Sequence, residues 1–530
     1  MVWEYNGIDL GNANGNPLAY LKQKYQIQTY NLLSNLQIRY QLAKGLVARA
    51  GLGYNSLDAQ ESSISPKNSL NPTQNPKSSA NFGTNNYKTW IIEPQLQYTR
   101  QILQGRLDAL FGTTFQQNNN TSLSLTGTDY SNDALLNSIL AAATKTINSD
   151  GYSLYKYNAV FARLNYILLN KYIINLTGRR DGSSRFGPGK QFGSFGSVGA
   201  GWIFTEEPMI KRALPYLSYG KIRVSYGTTG NDNIGNYQYI PNWSPMAVSY
   251  QQIGGLNPVN LYQPNFGWSV TKKFELGFEF GLFKDRIVGN VLWYQNRCGN
   301  QLVAFTLPNQ TGFNSVTANF PAIVQNKGWE IQLNTMNIKS RQLSWNTTVV
   351  LTIPDNKLVS YPDIKNSPYS RTYVEGQSLQ VLNKFIYSGV NPTTGIFEFA
   401  SKSEQPPVDF DDYHVIGNLD PKYFGGIRNL LTFKGLQIDI FFEYRKQLGS
   451  NYLRQIYSGN IPGTQSINQP AIIFNRWQTN GDVADIQRYT TLFSGDAYNA
   501  ARNFSNSAGA YTDASFIRLK TLSLGYQFNE

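Results

Sequence analysis

Histidine and cysteine are nearly missing from this sequence: 530 residues hold one of each, His414 and Cys298. A lone cysteine excludes an internal disulfide framework and a cysteine-based zinc site. A lone histidine leaves histidine-dependent triads and multi-histidine metal sites without their parts, so His414 is expected to be a plain surface residue in a polar loop. Charge is scarce too, at 15% of residues. No apolar run approaches the roughly 18 residues of a membrane-spanning helix. Met1-Val2-Trp3-Glu4 has neither the basic start nor the apolar core of a secretory leader. Carboxylates come as adjacent pairs, Glu206-Glu207 and Asp411-Asp412, without the separation that a glycoside hydrolase needs. No catalytic, cofactor or metal residue is assigned, and the chain is not expected to be an enzyme.

Aromatic residues are abundant, at 14%, while the mean hydropathy of −0.37 is polar. Strands with only one face in lipid reconcile the two, because every second side chain can stay polar. The net charge of +13 is spread without a basic run. That argues against nucleic acid and for loops and turns facing anionic lipid headgroups.

Alternation with period two organises the chain. Phe274, Leu276, Phe278, Phe280 and Leu282 fall on one face, and Glu275, Gly277, Glu279 and Gly281 on the other. Two glutamates in a dry core would be costly, whereas a water-filled lumen accepts them. The same pattern recurs around Leu36, Leu164, Val349 and Ile440, in runs of about ten residues, the length a tilted strand needs to cross a bilayer. Tight turns are predicted at Lys44-Gly45, Gln104-Gly105, Asn170-Lys171, Lys284-Asp285, Lys339-Ser340 and Lys434-Gly435. Long polar loops are predicted at 55–87, 117–152, 229–270, 299–326, 354–422 and 447–514, with a short helix over Ala134–Thr144 inside the second. Alternating short and long connections are the pattern of an outer-membrane barrel, with periplasmic turns and extracellular loops. The expected fold class is all-β: an antiparallel transmembrane β-barrel contributing about 15 strands.

Seven blocks in order resemble the SusC/RagA-type TonB-dependent transporters of Bacteroidetes. They are "GRRDGSSRFGPGKQFGSFGSVGAGWIFTEEP" (178–208), "KIRVSYGTTGNDNIGNYQY" (221–239), "GLFKDRIVGNVLWYQNR" (281–297), "NKGWEIQL" (326–333), "DPKYFGGIRNLLTFKGLQIDIFF" (420–442), "NRWQTNGD" (475–482) and "ASFIRLKTLSLGYQF" (514–528). Arg179, Arg180, Asp181 and Arg185 read as an ion-pair network that fixes a loop, with a ligand-binding cluster as the alternative, and Gly182 and Gly187 permit tight geometry. Pro421 with Gly425-Gly426, and likewise Asn326–Gly328, read as strand entries with bulges.

The resemblance implies a barrel of about 22 strands filled by an N-terminal plug. Residues 1–530 would then be a partial barrel domain, without signal peptide, TonB box, plug and last few strands, and could not work as a transporter alone. It also implies TonB-energised import of oligomeric nutrients across the bacterial outer membrane, glycan breakdown products first and peptides second, under a SusD-like lipoprotein lid. The competing readings are a passive porin and a soluble glycan-binding β-protein. A sugar site would use aromatic faces and polar side chains. Candidates in the loops are Tyr237, Tyr239, Trp243, Tyr250, Tyr262, Phe266, Trp268, Phe313, Tyr413 and Trp477. Most are expected to pack loops together, and none is singled out as a ligand contact.

Overall fold

A computed structural model describes residues 3–5, 8–9, 17–246, 251, 253–402, 410–459, 461–464 and 468–528; Met1, Val2, Tyr250, Asn529 and Glu530 lie outside them. One antiparallel sheet of 15 strands dominates, and every strand pairs with its neighbours in chain order. The first eight are β1 (Lys24–Ala43), β2 (Leu46–Ser65), β3 (Ser79–Ile102), β4 (Gly105–Tyr130), β5 (Ala142–Leu168), β6 (Tyr172–Ser183), β7 (Phe192–Trp202) and β8 (Leu217–Asn231). The remaining seven are β9 (Ser269–Leu282), β10 (Ile287–Gly299), β11 (Ile323–Lys339), β12 (Leu343–Ser360), β13 (Tyr423–Phe433), β14 (Leu436–Lys446) and β15 (Phe516–Tyr526). Among the described residues β1 pairs only with β2 and β15 only with β14, so the sheet has two free edges.

Register sorts the side chains into two faces, because directly opposed residues of an antiparallel pair point the same way. Phe274, Tyr226, Val198, Leu176 and Leu164 form one row across β9 to β5, and Leu276, Val224, Ala200, Ile174 and Tyr166 form the next. Between them, on the other face, run Glu275, Ser225, Gly199, Asn175, Asn165 and Asp108. Leu276, Val224, Tyr226, Val198, Leu176 and Ile174 all remain exposed. An apolar surface this continuous is one that lipid, not water, covers. Tyr98, Tyr166, Tyr172, Trp202 and Phe433 stand on this face beside the short turns, as an interfacial aromatic belt does.

Six expected turns fall where the sequence placed them, within a residue or two. The seventh, 203–216 between β7 and β8, is longer and carries the helix α1 (Pro208–Ala213). Two expected loops are largely strand: β2 and β3 leave only 66–78 between them, and β4 and β5 only 131–141. At 26 and 27 residues, β4 and β5 far exceed the ten or so that a bilayer needs. Side-chain bonds join the polar upper parts of β3, β4 and β5, such as Thr126 Oγ1 to Asn81 Oδ1 (2.6 Å) and Asn148 Nδ2 to Thr126 Oγ1 (2.7 Å). The expected helix over Ala134–Thr144 is instead two 3-10 turns, and Ala142 already begins β5. Leu136 is fully buried against Ala80, Tyr130 and Ala142, so tertiary packing overrides helix propensity.

The expected bulges are absent: β13 keeps register with both neighbours through Gly425-Gly426, and β11 does so through Asn326–Gly328. The glycines make room for rings instead. A Cβ on Gly328 would meet Tyr294, and one on Gly425 would meet Tyr444 and the Val350 carbonyl.

Candidate functional site

The polar face is held by charge pairs that bridge neighbouring strands. Arg223 Nε lies 3.2 Å from Glu279 Oε1, Arg223 Nη1 3.7 Å from Glu275 Oε2, and Lys221 Nζ 3.5 Å from Glu279. Arg428 grips Asp439 with two donors, at 2.9 and 2.6 Å. Near β1 a polar concavity of about 360 Å³ is lined by Gln37, Arg39, Arg49, Glu93, Gln95 and Gln97, among others. There Arg49 Nε donates to Gln95 Oε1 at 2.7 Å. None of these pairs is deeply buried, which suits a water-filled lumen and not a dry core.

Above this wall the long loops pack into separate clusters. The charged cluster of 179–185 is the loop-fixing network that its composition suggested. Arg179 Nε donates to both oxygens of Asp181 at 2.9 Å, and its Nη2 to the Tyr157 hydroxyl at 2.6 Å. Arg185 donates to the Asp232 carbonyl (3.0 Å) and to Asn236 Oδ1 (3.1 Å), and lies over the Tyr155 ring at 4.4 Å. Ser183 and Tyr155 both donate to Asp232 Oδ2, at 2.7 and 2.8 Å. Thus "RRDGSSRFG" and "GNDNIGNY", 40-odd residues apart, lock two loops together. Arg180 is on the other face, over the Phe192 ring at 5.3 Å. Gly182 and Gly187 do not take a left-handed backbone; their bare faces touch Phe192 and Tyr239.

The two longest loops form one unit. Trp477 Nε1 and the Gly481 amide both donate to the Pro392 carbonyl at 2.8 Å, and the Arg488 amide to Gly395 O at 2.8 Å. Inside, Phe397 stacks on Phe504 (4.4 Å between ring centres) and meets Tyr457 edge-on at 5.0 Å. Burial, reinforced by Asp485, pushes the Tyr387 phenol up to about 12, so it stays a neutral packing group.

The candidate aromatics divide accordingly. Phe266 and Trp268 are buried with Phe186 and Phe195, and Tyr239 packs on that cluster. The Tyr237 hydroxyl accepts from the Leu154 amide at 2.9 Å, Tyr413 meets Phe385 edge-on at 4.6 Å, and Phe313 is half-buried. Trp243 and Tyr262 stay exposed, at 58% and 60%. His414 opens a short strand paired with 381–384, not an irregular loop. Asp412 accepts from Ser401 Oγ and the Lys402 amide, and Glu207 from Lys171, Tyr172 and Trp202. Asp412 thus fixes the backbone at Lys402, while Glu207 ties three side chains together.

One cleft escaped the sequence reading. It measures about 730 Å³, and Phe305, Phe320, Tyr361, Pro362, Asp363 and Asn366 are among its lining residues. Phe320 meets Tyr361 edge-on at 4.6 Å and lies 5.9 Å from Tyr369. The signal available was the tyrosine- and proline-rich stretch Tyr361-Pro362 to Pro368-Tyr369. It has no alternation and so reads as loop.

A sheet with a lipid face, a polar inner face, short turns at one end and a packed crown at the other defines an outer-membrane β-barrel. The chain belongs to the family described as "TonB dependent receptor-like, beta-barrel", whose model matches residues 2–530. It is 26% identical over 570 residues to TonB-dependent receptor P26 of Formosa agariphila, covering 98% of this chain and 55% of that protein. It is 25% identical over 396 residues to TonB-dependent receptor SusC of Bacteroides thetaiotaomicron, covering 69% of this chain and 37% of that one. The solved structure of the RagAB peptide transporter superposes with a TM-score of 0.85 at 21% identity, over 96% of this chain and 56% of that one. The chain thus spans about half the length of the first-named relative. These findings bear out the all-β barrel, the outer-membrane location and the SusC-like resemblance, and they set aside a soluble β-protein.

Proposed function

We propose that this chain is the wall and extracellular crown of a TonB-energised importer of oligomeric nutrients. Glycan breakdown products are the first expected cargo and peptides the second. The observation that carries the reading is the inner face, which charge pairs and amide bonds line from the Arg49–Gln95 pair to the Lys520–Glu443 pair. Such a surface suits a wide, wet passage for hydroxyl- or amide-rich oligomers. The crown adds aromatic faces beside carboxylate and amide groups, in the cleft of Phe305, Tyr361, Asp363 and Asn366. A TonB-coupled plug and a SusD-like lipoprotein lid complete the proposed machine. Further strands pair with β1 and β15, because an open edge in hydrocarbon leaves backbone groups unpaired at several kcal/mol each.

The test uses cells lacking the gene and cells carrying it at full length, fed with defined neutral oligosaccharides or with short peptides. Depletion of one pool only by carriers of the gene, abolished by a proton uncoupler, supports the proposal and names the cargo class. Uptake that persists in the uncoupler means a passive pore.

A further inference from the structure

We propose that the connection 203–216 is a binding site for anionic phospholipid in the periplasmic leaflet, with the lipid phosphate as its ligand. The inference does not depend on what the barrel carries. Most short connections are bare turns, whereas this one spends 14 residues, "IFTEEPMIKRALPY", between β7 and β8.

Its first half is clamped to the lipid face. Phe204 stacks on Phe278, with ring centres 6.1 Å apart and planes 6° from parallel, and meets Trp202 edge-on at 5.8 Å. Phe278 and Trp202 belong to the outward rows. Buried Thr205 is tied to Gly220 in both directions, accepting from its amide at 3.0 Å. Glu207 accepts from Lys171 Nζ at 2.7 Å, from the Tyr172 hydroxyl at 2.6 Å and from Trp202 Nε1 at 3.3 Å. The segment therefore bends outward, at the level where the aromatic belt meets the headgroups.

Pro208 at the first helical position then starts α1, which presents the remaining chemistry. Met209 is 83% exposed, an expensive placement in water but a natural one at the acyl boundary. Lys211 and Arg212 are exposed and make no ion pair among the described residues. Glu207 is already occupied by Lys171, and Asp285 by the Ser218 hydroxyl at 2.7 Å. That leaves Glu206 as the competing free carboxylate of the segment, against two cations. An apolar side chain beside two unpaired cations, held at headgroup depth, is complementary to a phosphodiester with acyl chains.

The test purifies the intact receptor in detergent and offers phosphatidylglycerol or phosphatidylcholine. Retained lipid is counted by native mass spectrometry, and heat-modifiable migration verifies that each variant is folded. The proposal expects preferential retention of phosphatidylglycerol, lost in high salt. It expects roughly thirtyfold weaker retention in Lys211→Ala/Arg212→Ala, about fivefold for each charge, with phosphatidylcholine unchanged. Equal retention of the two lipids by the unaltered receptor, or undiminished phosphatidylglycerol in the double variant, overturns it. Nutrient uptake is scored separately, so failure here leaves the import reading standing.

Discussion

The Tyr444 hydroxyl donates to the Val350 carbonyl at 2.9 Å, and it reaches that oxygen by lying across Gly425, its directly opposed neighbour on β13. The "YFGG" glycine and a tyrosine of the next strand are thereby explained together. The glycine leaves its side-chain position empty and the tyrosine fills it, bridging β14 to β12 over β13. Tyr166 does the same across Gly105, donating to Ile102 O at 3.1 Å. A valine at 425 would collide with both the ring and the carbonyl. Gly425→Val is expected to cost about 1–3 kcal/mol by overpacking, and Tyr444→Phe about 1 kcal/mol by loss of one hydrogen bond. Heat-modifiable gel migration, scored against temperature, checks both; Gly425→Val unfolding at the unaltered temperature contradicts the account.

The two faces of the sheet at β8 and β9 should respond oppositely to a cation. Leu276→Arg puts charge on the lipid face and is expected to cost about 2–4 kcal/mol if it lies near the midplane. Ser225→Arg, on the inner face of β8 opposite Glu275, is expected to change stability little. Urea unfolding in detergent or lipid measures the difference, and equal penalties would argue against the assignment of faces.

The Arg223 pairs separate a wet lumen from a dry core. Removing one partner of a buried ion pair typically costs about 3–5 kcal/mol, while exposed pairs contribute about 0–1 kcal/mol. Arg223 and its two glutamates are each about one-third exposed, so Arg223→Ala is expected in the lower range. A loss of several kcal/mol in the same unfolding assay would mean that this face is packed.

How far the fold was legible follows from which physics each region uses. Phe274 to Leu282 could be read because bilayer and lumen impose period two, and the turns could be read because they interrupt it. The tall hairpins around Asn81 and Thr126 were missed because serine, threonine and asparagine form strands there through side-chain hydrogen bonds, with no hydrophobic signal. Gly425 stands out in the sequence as a bulge glycine, but what needs the space is the ring of Tyr444, 19 residues later on the adjacent strand. The Arg179–Asp181 pair was legible because its partners are neighbours. The bond from Ser183 to Asp232 and the cleft of Phe305 and Tyr361 depend on loops meeting in space, which one sequence does not display.

Acid should loosen the turn at 478–482. Asp482 accepts from the Thr479 and Gln478 amides at 2.8 and 2.9 Å, and these bonds, Thr479 first, hold its carboxyl below the usual carboxylate range. A depressed folded-state pKa contributes stability that is present above the unfolded value of about 4 and is lost as pH falls through the folded one. Asp482→Asn should therefore speed hydrogen exchange at 478 and 479 relative to the unaltered protein at pH 7. The difference should shrink as pH drops below about 4. Equal exchange at pH 7 would contradict this role.

The central claim is that Leu276 faces lipid and Glu279 faces the lumen of an outer-membrane wall. The most direct measurement places single cysteines at 276 and 279 in the full-length receptor, with Cys298 replaced by serine. Each is labelled with a small fluorophore and read in liposomes against brominated lipid and against an aqueous quencher. The account predicts that brominated lipid quenches the probe at 276 and that the aqueous quencher reaches the probe at 279. Lipid quenching at 279 with aqueous quenching at 276 would contradict it.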